Sequence, residues 1–301
     1  MNVETFLGCD ASYEDARVVL FGAPFDSTTS YRPGTRFASR TMRAESYGLE
    51  TYSPGQDLDL EDAAVHDGGD LELCFGDTEA ALKEIEDFAE QVHADGKLPF
   101  LIGGEHLVTL PAFRAAYRKY PDIRVIHFDA HTDLRDDYLG AKLSHATVLR
   151  RIWDIVGDGR IFQFGIRSGE RAEFYWAKEH TYLQKFDFTG LEAAIAACSK
   201  YPVYLTIDLD VMDPSVFPGT GTPEAGGVTF RQLLQAALQV IRGTQVAACD
   251  MVELSPPYDT SGASTATALK LLREMLLGLE EPHIHGCSSA RSRQSHDISR
   301  G

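Results

Sequence analysis

Residues 203–213 read VYLTIDLDVMD and place an apolar run directly before three carboxylates. The run 203–209 is short and rich in β-branched and aromatic residues, which is typical of a strand buried on both faces of a parallel sheet. Asp208 and Asp210 share one face of such a strand. Two carboxylates this close repel each other unless a cation lies between them or one stays protonated. The stretch therefore predicts a buried parallel strand with a charged site at its carboxyl end.

The same kind of strand recurs along the chain, alternating with amphipathic helices. The other predicted strands are 16–22, 98–103, 123–129, 160–165 and 246–254. The predicted helices are 78–94, 111–120, 146–156, 191–199, 230–241 and 266–279. This alternation predicts an α/β fold of three αβα layers around a central, mainly parallel sheet. We expect one domain over residues 1–282, and a disordered polar tail over the Ser-, Arg- and His-rich residues 283–301.

Composition limits the kind of protein. The chain has 301 residues, 44% of them hydrophobic, which is enough for one large core. Its amino-terminal residues do not resemble a signal peptide, and no apolar stretch approaches the length of a membrane span. The five cysteines are scattered and form no CxxC pair. We therefore expect reduced thiols in a cytoplasmic protein that does not bind membranes.

The net charge is strongly negative, at −17, with 45 acidic and 28 basic residues. Such a chain repels nucleic acid and attracts cationic ligands over long distances. We therefore expect a small cationic partner and no nucleic acid. The excess charge also has a plainer explanation, which is that it keeps the protein soluble.

A second segment, GGEH at residues 103–106, follows the predicted strand 98–103. Two glycines after a strand allow a tight turn that delivers His106 at its end. The segment matches neither the dinucleotide-binding GxGxxG pattern nor a P-loop. A single histidine in this position is more often structural, so the segment gains weight only together with the others.

A third segment, HFDAHTD, occupies residues 127–133. Asp129, His131 and Asp133 are spaced two apart, so in extended backbone they point to one side. Ligand sites in open α/β sheets gather at the carboxyl ends of the strands. We therefore expect this cluster to meet the other two segments, although a surface ion-pair cluster is the alternative.

Together the three segments supply four carboxylates and two imidazoles, with no thiolate. This oxygen-rich set is too large for one ion, and it suits two octahedral Mn²⁺ ions better than one tetrahedral Zn²⁺. Two such ions would activate a bridging water as hydroxide near neutral pH. The predicted metal ligands are His106, Asp129, His131, Asp133, Asp208 and Asp210.

The chain resembles the ureohydrolase family of arginases and agmatinases, and within it the agmatinases. The resemblance covers residues 18–279 and rests on GGEH, DAHTD, SHAT, DLDVMDP, PGTGTPEAGG and DMVELSPPYD, which occur in the family's order. It implies an arginase/deacetylase-like fold and attack of metal-bound hydroxide on the guanidinium carbon of agmatine, giving putrescine and urea.

The resemblance also implies individual roles. One manganese would be bound by His106, Asp129, Asp133 and Asp208, and the other by Asp129, His131, Asp208 and Asp210. Asp133 would also orient the hydroxide, His145 would shuttle the proton, and Glu253 would hold the guanidinium. A guanidinium matches a carboxylate that accepts two parallel hydrogen bonds. A histidine is the usual proton donor to a departing amine near pH 7.

Two positions depart from the family pattern, in loops expected to shape the pocket, and neither removes a proposed ligand or the proton carrier. Ala146 follows the loop histidine where many members have glycine, and Ala38-Ser39 replaces Gly-Pro in the segment after Arg36-Phe37. The loop 134–143 lacks the Asn and Ser with which arginases hold an α-carboxylate, which favours agmatine. Because that loop carries Arg135 and Lys142, a guanidino acid such as 4-guanidinobutyrate is the alternative substrate.

Two other classes remain open at this stage. A deacetylase of the related fold would use one Zn²⁺, and a non-catalytic relative would bind metal without turnover. By resemblance we also expect a homo-oligomer, either a trimer or a hexamer.

Overall fold

The computed structural model describes the backbone of residues 4–297 and the side chains of residues 4–281. Eight strands form one sheet in the order β4-β1-β5-β10-β9-β6-β7-β8, and every pairing within it is parallel. These strands are β1 Val18–Ala23, β4 Val65–Asp70, β5 Leu98–Gly103, β6 Arg124–Phe128, β7 Ile161–Ile166, β8 Tyr182–Lys185, β9 Pro202–Asp208 and β10 Gln245–Val252. A separate antiparallel pair consists of β2 Tyr52–Ser53 and β3 Leu58–Asp59.

Helices cover both faces of the sheet. They are α1 Ala38–Ser46, α2 Thr78–Ala94, α3 Thr109–Lys119, α4 Val148–Val156, α5 Arg171–His180, α6 Leu191–Cys198, α7 Phe230–Gly243 and α8 Ala263–Asp297. One core joins the sheet to α1, α6, α7 and α8, and a second core joins the opposite face to α2, α3, α4 and α5. The predicted three-layer α/β fold is thereby confirmed.

The strands β5 and β6 are consecutive in the chain but are not adjacent in the sheet. After β5 the chain crosses to β6, and the two places between them are filled later by β9 and β10. Ligand sites in open parallel sheets lie at such a change of direction, outside the carboxyl ends of the strands. The strands β5, β10, β9 and β6 are contiguous, and they carry the three segments that the sequence singled out.

The sequence missed both edge strands. β4 reads VHDGGD and β8 reads YLQK, and both have partly exposed side chains. Edge strands are not buried on both faces, so they lack the apolar run by which the central strands were found. The polar helices α1 and α5 were also missed.

The carboxyl-terminal helix α8 begins at Ala263 and ends at Asp297, beyond the predicted end at residue 279. The predicted disordered tail, 283–301, lies outside the residues whose side chains are described, so it stays a prediction. Within the described residues no helix is both long and apolar enough to span a membrane. Cys9, Cys74, Cys198 and Cys249 are free thiols.

Candidate metal centre

The three segments meet over the carboxyl ends of the four central strands, around a cavity of about 240 Å³. Six of the predicted site residues line this cavity directly. They are His106, His131, Asp133, His145, Asp208 and Glu253. Asp129 and Asp210 lie just beneath, 0% and 1% exposed. The structure thus brings together every residue that the sequence proposed for the site.

His106 is delivered by the turn that follows β5. Gly104 has no room for a side chain, since a Cβ there would lie 1.8 Å from the carbonyl oxygen of Phe25. The buried ring of His106 places Nε2 3.0 Å from Oγ1 of Thr206, while Nδ1 has no hydrogen-bond partner among the described residues. That nitrogen faces carboxylate oxygens of Asp129, Asp133 and Asp208, at 3.1, 3.1 and 3.4 Å.

The second side of the centre is built around His131. Its Nδ1 lies 3.0 Å from Oδ2 of Asp210 and 3.4 Å from Oδ1 of Asp129. Asp129 therefore faces His131 with one oxygen and His106 with the other. Two overlapping groups of possible metal ligands share this carboxylate, one with His106 and His127, the other with His131 and Asp210.

The convergence does not come from strand alternation alone. β6 ends at Phe128 and β9 ends at Asp208, so most of these residues lie in turns beyond the strands. Asp133 has a φ of 52°, and Asp210 lies in a 3-10 turn where its own amide donates to Oδ1 of Asp208. The extended geometry inferred from the spacing is therefore wrong in detail, although the side chains do meet.

The buried carboxylates of the cluster would be stabilised by added positive charge. Burial, followed by repulsion from Asp129, raises the pKa of Asp133 to about 7. Burial and repulsion from Asp210 and Asp129 raise the pKa of Asp208 well above its usual range. Burial favours the neutral ring of His106, yet the surrounding carboxylates outweigh it and raise the pKa of that imidazole well above normal.

These groups fit divalent metal ions. The raised pKa values of Asp133 and Asp208 favour their protonated forms when no cation is bound, and protons and metal ions compete for the same donor atoms. Among the described residues Nδ1 of His106 has no hydrogen-bond partner, and it faces three carboxylates. This arrangement suits a metal ligand better than a hydrogen-bonding group. The remaining donors are carboxylate oxygens, which are hard ligands.

His145 opens the short helical turn before α4 and stands at the mouth of the cavity. Its Nδ1 lies 3.0 Å from the carbonyl oxygen of Thr28, which can only accept, so Nδ1 carries the proton and Nε2 is free to accept one. Nε2 lies 3.4 Å from Oγ of Ser30. Burial, with the neighbouring cationic groups, lowers the pKa of His145 to about 4.

Glu253 follows β10 directly and is 6% exposed. Its backbone is left-handed, with a φ of 65°, and its amide donates to the carbonyl oxygen of Gly104. One carboxylate oxygen accepts from the amide of His106 at 2.9 Å. Burial and the nearby Glu105 raise the pKa of Glu253 well above its normal range, so a cation beside it would be strongly favoured.

Sequence reasoning missed the residues that support this site from behind. Glu105 is completely buried and accepts hydrogen bonds from the backbone and hydroxyl of Thr28 and from Thr29, which fixes the loop beneath His145. His127 is also fully buried, with Nε2 2.8 Å from Asp129. A polar residue two positions before a ligand, on the same face of an apolar strand, was the available signal for His127.

The two departures from the family pattern lie in different places. Ala146 lines the cavity, so it does affect the shape of the pocket. Ala38 and Ser39 are buried at the start of α1 and do not line it.

Comparison with known proteins identifies the family to which the chain belongs. Residues 16–278 match the profile of the Arginase family. The agmatinase of Bacillus subtilis is 45% identical over 278 residues, which cover 91% of this chain and 96% of that protein. The guanidinobutyrase of Pseudomonas aeruginosa is 37% identical over 271 residues, which cover 85% of this chain and 84% of that protein. A crystal structure of a candidate agmatinase from Clostridium difficile shares 56% identity with a TM-score of 0.87, over 90% of this chain and 99% of that one.

The parallel sheet and the His–Asp groups at its carboxyl edge define a metal-binding hydrolase of the α/β class. The chain belongs to the Arginase family, and within it is an agmatinase-type ureohydrolase. The family and the type of enzyme predicted from the motifs are confirmed.

Proposed function

We propose that the protein hydrolyses agmatine to putrescine and urea with the help of two Mn²⁺ ions. The observation that carries this proposal is the convergence of four carboxylates and two imidazoles on one cavity that also holds Glu253 and His145.

The two ions would be held by the sets that the family resemblance implies. His106, Asp129, Asp133 and Asp208 hold one ion, and Asp129, His131, Asp208 and Asp210 hold the other. When bound, such ions would supply Lewis acidity that lowers the pKa of a bound water toward neutrality. The predominance of oxygen donors favours Mn²⁺ over Zn²⁺.

Glu253 binds the guanidinium. One of its oxygens accepts a hydrogen bond from the amide of His106, and its side chain lines the cavity. A guanidinium restores the charge of this buried carboxylate and gains a charge-assisted hydrogen bond. This contact would hold the planar group in the cavity that Asp133 also lines.

Asp133 and His145 manage the protons. Asp133 accepts the hydrogen bond that orients the attacking water. His145 is neutral at pH 7 with Nε2 unprotonated, so it can take a proton at that atom and pass it to the departing amine. Its Nδ1–H is held by Thr28, which keeps Nε2 directed toward the cavity.

The far end of the pocket favours a cationic substrate. Arg135 is the one Lys or Arg that lines the described cavity, and its charge is compensated. It pairs with Glu170 at 2.8 Å, approaches Glu173 at 3.7 Å and lies over the ring of Tyr138. Lys142 is exposed and does not line the cavity. The described pocket therefore offers no uncompensated cation for a substrate carboxylate.

A guanidino-acid hydrolase is the second candidate, supported by the 37% identity to a guanidinobutyrase. It would require Arg135 to leave Glu170 and turn toward the substrate. Initial rates of urea release from agmatine, 4-guanidinobutyrate and arginine, measured with added Mn²⁺, separate the two. Faster hydrolysis of either acid would refute the choice of agmatine.

Metal content tests the remaining classes. We expect two manganese ions per chain and loss of urea release in His131→Ala. One zinc per chain with amide cleavage would instead indicate a deacetylase, and full metal content without urea would indicate a non-catalytic relative. We also propose a cytoplasmic trimer or hexamer, by family resemblance, which sedimentation velocity would check.

A further inference from the structure

A row of polar side chains crosses the centre of the sheet beneath the metal cluster. Gln163, His127, Thr206 and Asp250 stand in register on the neighbouring strands β7, β6, β9 and β10, and each is 0% exposed. We call them the polar row. Buried polar groups are costly unless their hydrogen bonds are made, so a continuous row through an apolar sheet needs a function.

The orientation of Gln163 follows from its partners. Its Nε2 lies 2.8 Å from the carbonyl oxygen of Thr132, which can only accept a hydrogen bond. Its Oε1 accepts from the hydroxyl of Thr181 at 3.2 Å. Turning the amide around would set two acceptors against each other, so the nitrogen must face Thr132.

That orientation decides where the proton of His127 sits. The same Nε2 of Gln163 lies 3.1 Å from Nδ1 of His127, so the amide donates and Nδ1 accepts. A neutral ring that accepts at Nδ1 carries its hydrogen on Nε2. Nε2 lies 2.8 Å from Oδ2 of Asp129 and therefore donates to that carboxylate.

The next member of the row, Thr206, contacts His106. Its Oγ1 lies 3.0 Å from Nε2 of His106, and the other ring nitrogen, Nδ1, faces the carboxylates. Asp250 adjoins Thr206 in the sheet and accepts from the hydroxyl of Tyr204 at 2.7 Å. The row thus contacts one imidazole and one carboxylate of the centre.

We propose that His127, held by Gln163, is a positioning residue that donates a hydrogen bond to the bridging carboxylate of Asp129 and is not itself a metal ligand. This inference rests on the proposed two-ion centre. His127 and His106 belong to one group of possible ligands, but the inference gives them different roles, with only His106 as a metal ligand. Outer partners of this kind orient ligands and typically change metal affinity by about 10- to 100-fold.

Two variants of the same residue separate the roles. The amide nitrogen of His127→Gln can replace Nε2–H as a donor to Asp129, whereas His127→Leu has no donor. Titration of the metal-free protein with Mn²⁺ should show two ions in both variants, with affinity about 10- to 100-fold weaker in His127→Leu. His127→Gln should stay within a few-fold of the wild type. Loss of one whole ion in both variants would make His127 a ligand and overturn the inference.

A second variant and a direct measurement remain if His127→Leu does not fold. Gln163→Met removes the donor to Nδ1 at similar volume, and it should weaken Mn²⁺ binding while leaving two ions. Neutron diffraction of the metal-free wild type should show deuterium on Nε2 of His127. Deuterium on Nδ1 would contradict the inference while leaving the proposed enzyme intact, whereas a wild type that binds no Mn²⁺ would defeat the proposed function itself.

Discussion

Asp133 and Glu253 share an unusual backbone conformation at the edge of one cavity. Among the described residues only three other non-glycine residues have positive φ angles, namely Asp57, Leu139 and Phe186. A left-handed conformation costs of order 1–3 kcal/mol at such a position and persists only where the surroundings enforce it. At both residues the carboxylate lines the cavity beside the His–Asp cluster, so the strain accompanies a site that is fixed before substrate arrives.

Replacement of His145 should separate proton transfer from metal binding. His145→Asn should lower the kcat for agmatine by about 10²- to 10⁴-fold, the usual contribution of a positioned acid–base group. Manganese content should not change, because His145 is not one of the proposed ligands. Urea release and metal analysis on the same preparation check this.

Ser30→Ala serves as the control, since it removes only the 3.4 Å contact to Nε2 and should leave most of the activity. A parallel fall of metal content and rate in His145→Asn would show that His145 supports the centre and does not transfer protons.

The residues closest to the chemistry were predictable because short motifs carry them. The six proposed ligands come from three compact segments, and each segment follows an apolar strand. The role of His127 was not predictable, because it depends on Gln163, which stands 36 positions later and reaches His127 only through the register of β6 and β7. Pairing of this kind cannot be read from either strand alone.

At the scale of the elements, the turn between β5 and α3 depends on the absence of one side chain. Gly104→Ala would place a Cβ 1.8 Å from the backbone oxygen of Phe25, and neither backbone can yield without moving β1 or β5. We expect a loss of at least about 1–3 kcal/mol in unfolding free energy. Gly55→Ala, where the nearest atom is 3.9 Å away, should be close to neutral, and thermal denaturation of both compares them. Equal stability would show that the turn is looser than described.

The helix α2 carries a buried histidine that should make stability depend on pH. Within the described residues neither ring nitrogen of His93 has a hydrogen-bond partner, and burial, with a smaller effect of Lys119, lowers its pKa to about 4. In the unfolded chain the imidazole of His93 has a pKa near 6.5, so as the pH falls the unfolded state binds a proton before the folded state does. The stability that depends on a neutral His93 is therefore fully present above pH 6.5 and is lost as the pH falls from about 6.5 to 4.

His93→Leu should therefore flatten the pH dependence of the unfolding free energy in that window. Urea denaturation at pH 8, where the ring is neutral in both states, gives the reference difference between variant and wild type. An unchanged slope between pH 6.5 and 4.5 would show that His93 is protonated in the folded protein.

The central elements were predictable and the edges were not, for one physical reason. β5, β6, β9 and β10 are covered on both faces, so their sequences are mainly apolar. β4 and β8 have one free edge and partly exposed faces, and their residues resemble loops. The part of α8 that contributes Ala268 to Leu277 to the core gave a recognisable pattern.

For the whole molecule, the charge of −17 should assist capture of a cationic substrate. The kcat/KM for agmatine, which carries two positive charges, should fall by up to about tenfold as ionic strength rises from low to high. The zwitterion 4-guanidinobutyrate should show little dependence, and it serves as the control in the same stopped-time urea assay. Equal salt effects on both would indicate that salt acts on the enzyme and not on encounter.

The strand order also governs when the centre can exist during synthesis. As the chain leaves the ribosome, GGEH and DAHTD emerge more than a hundred residues before β10, yet their strands are neighbours only across β9 and β10. A nascent chain that has not yet released residue 252 holds its histidines on two half-sheets with an unfilled gap between them. We therefore expect the proposed metal site to form only after β10 has been synthesised, and a chain truncated before Gln245 to contain all six proposed ligands without bringing them together.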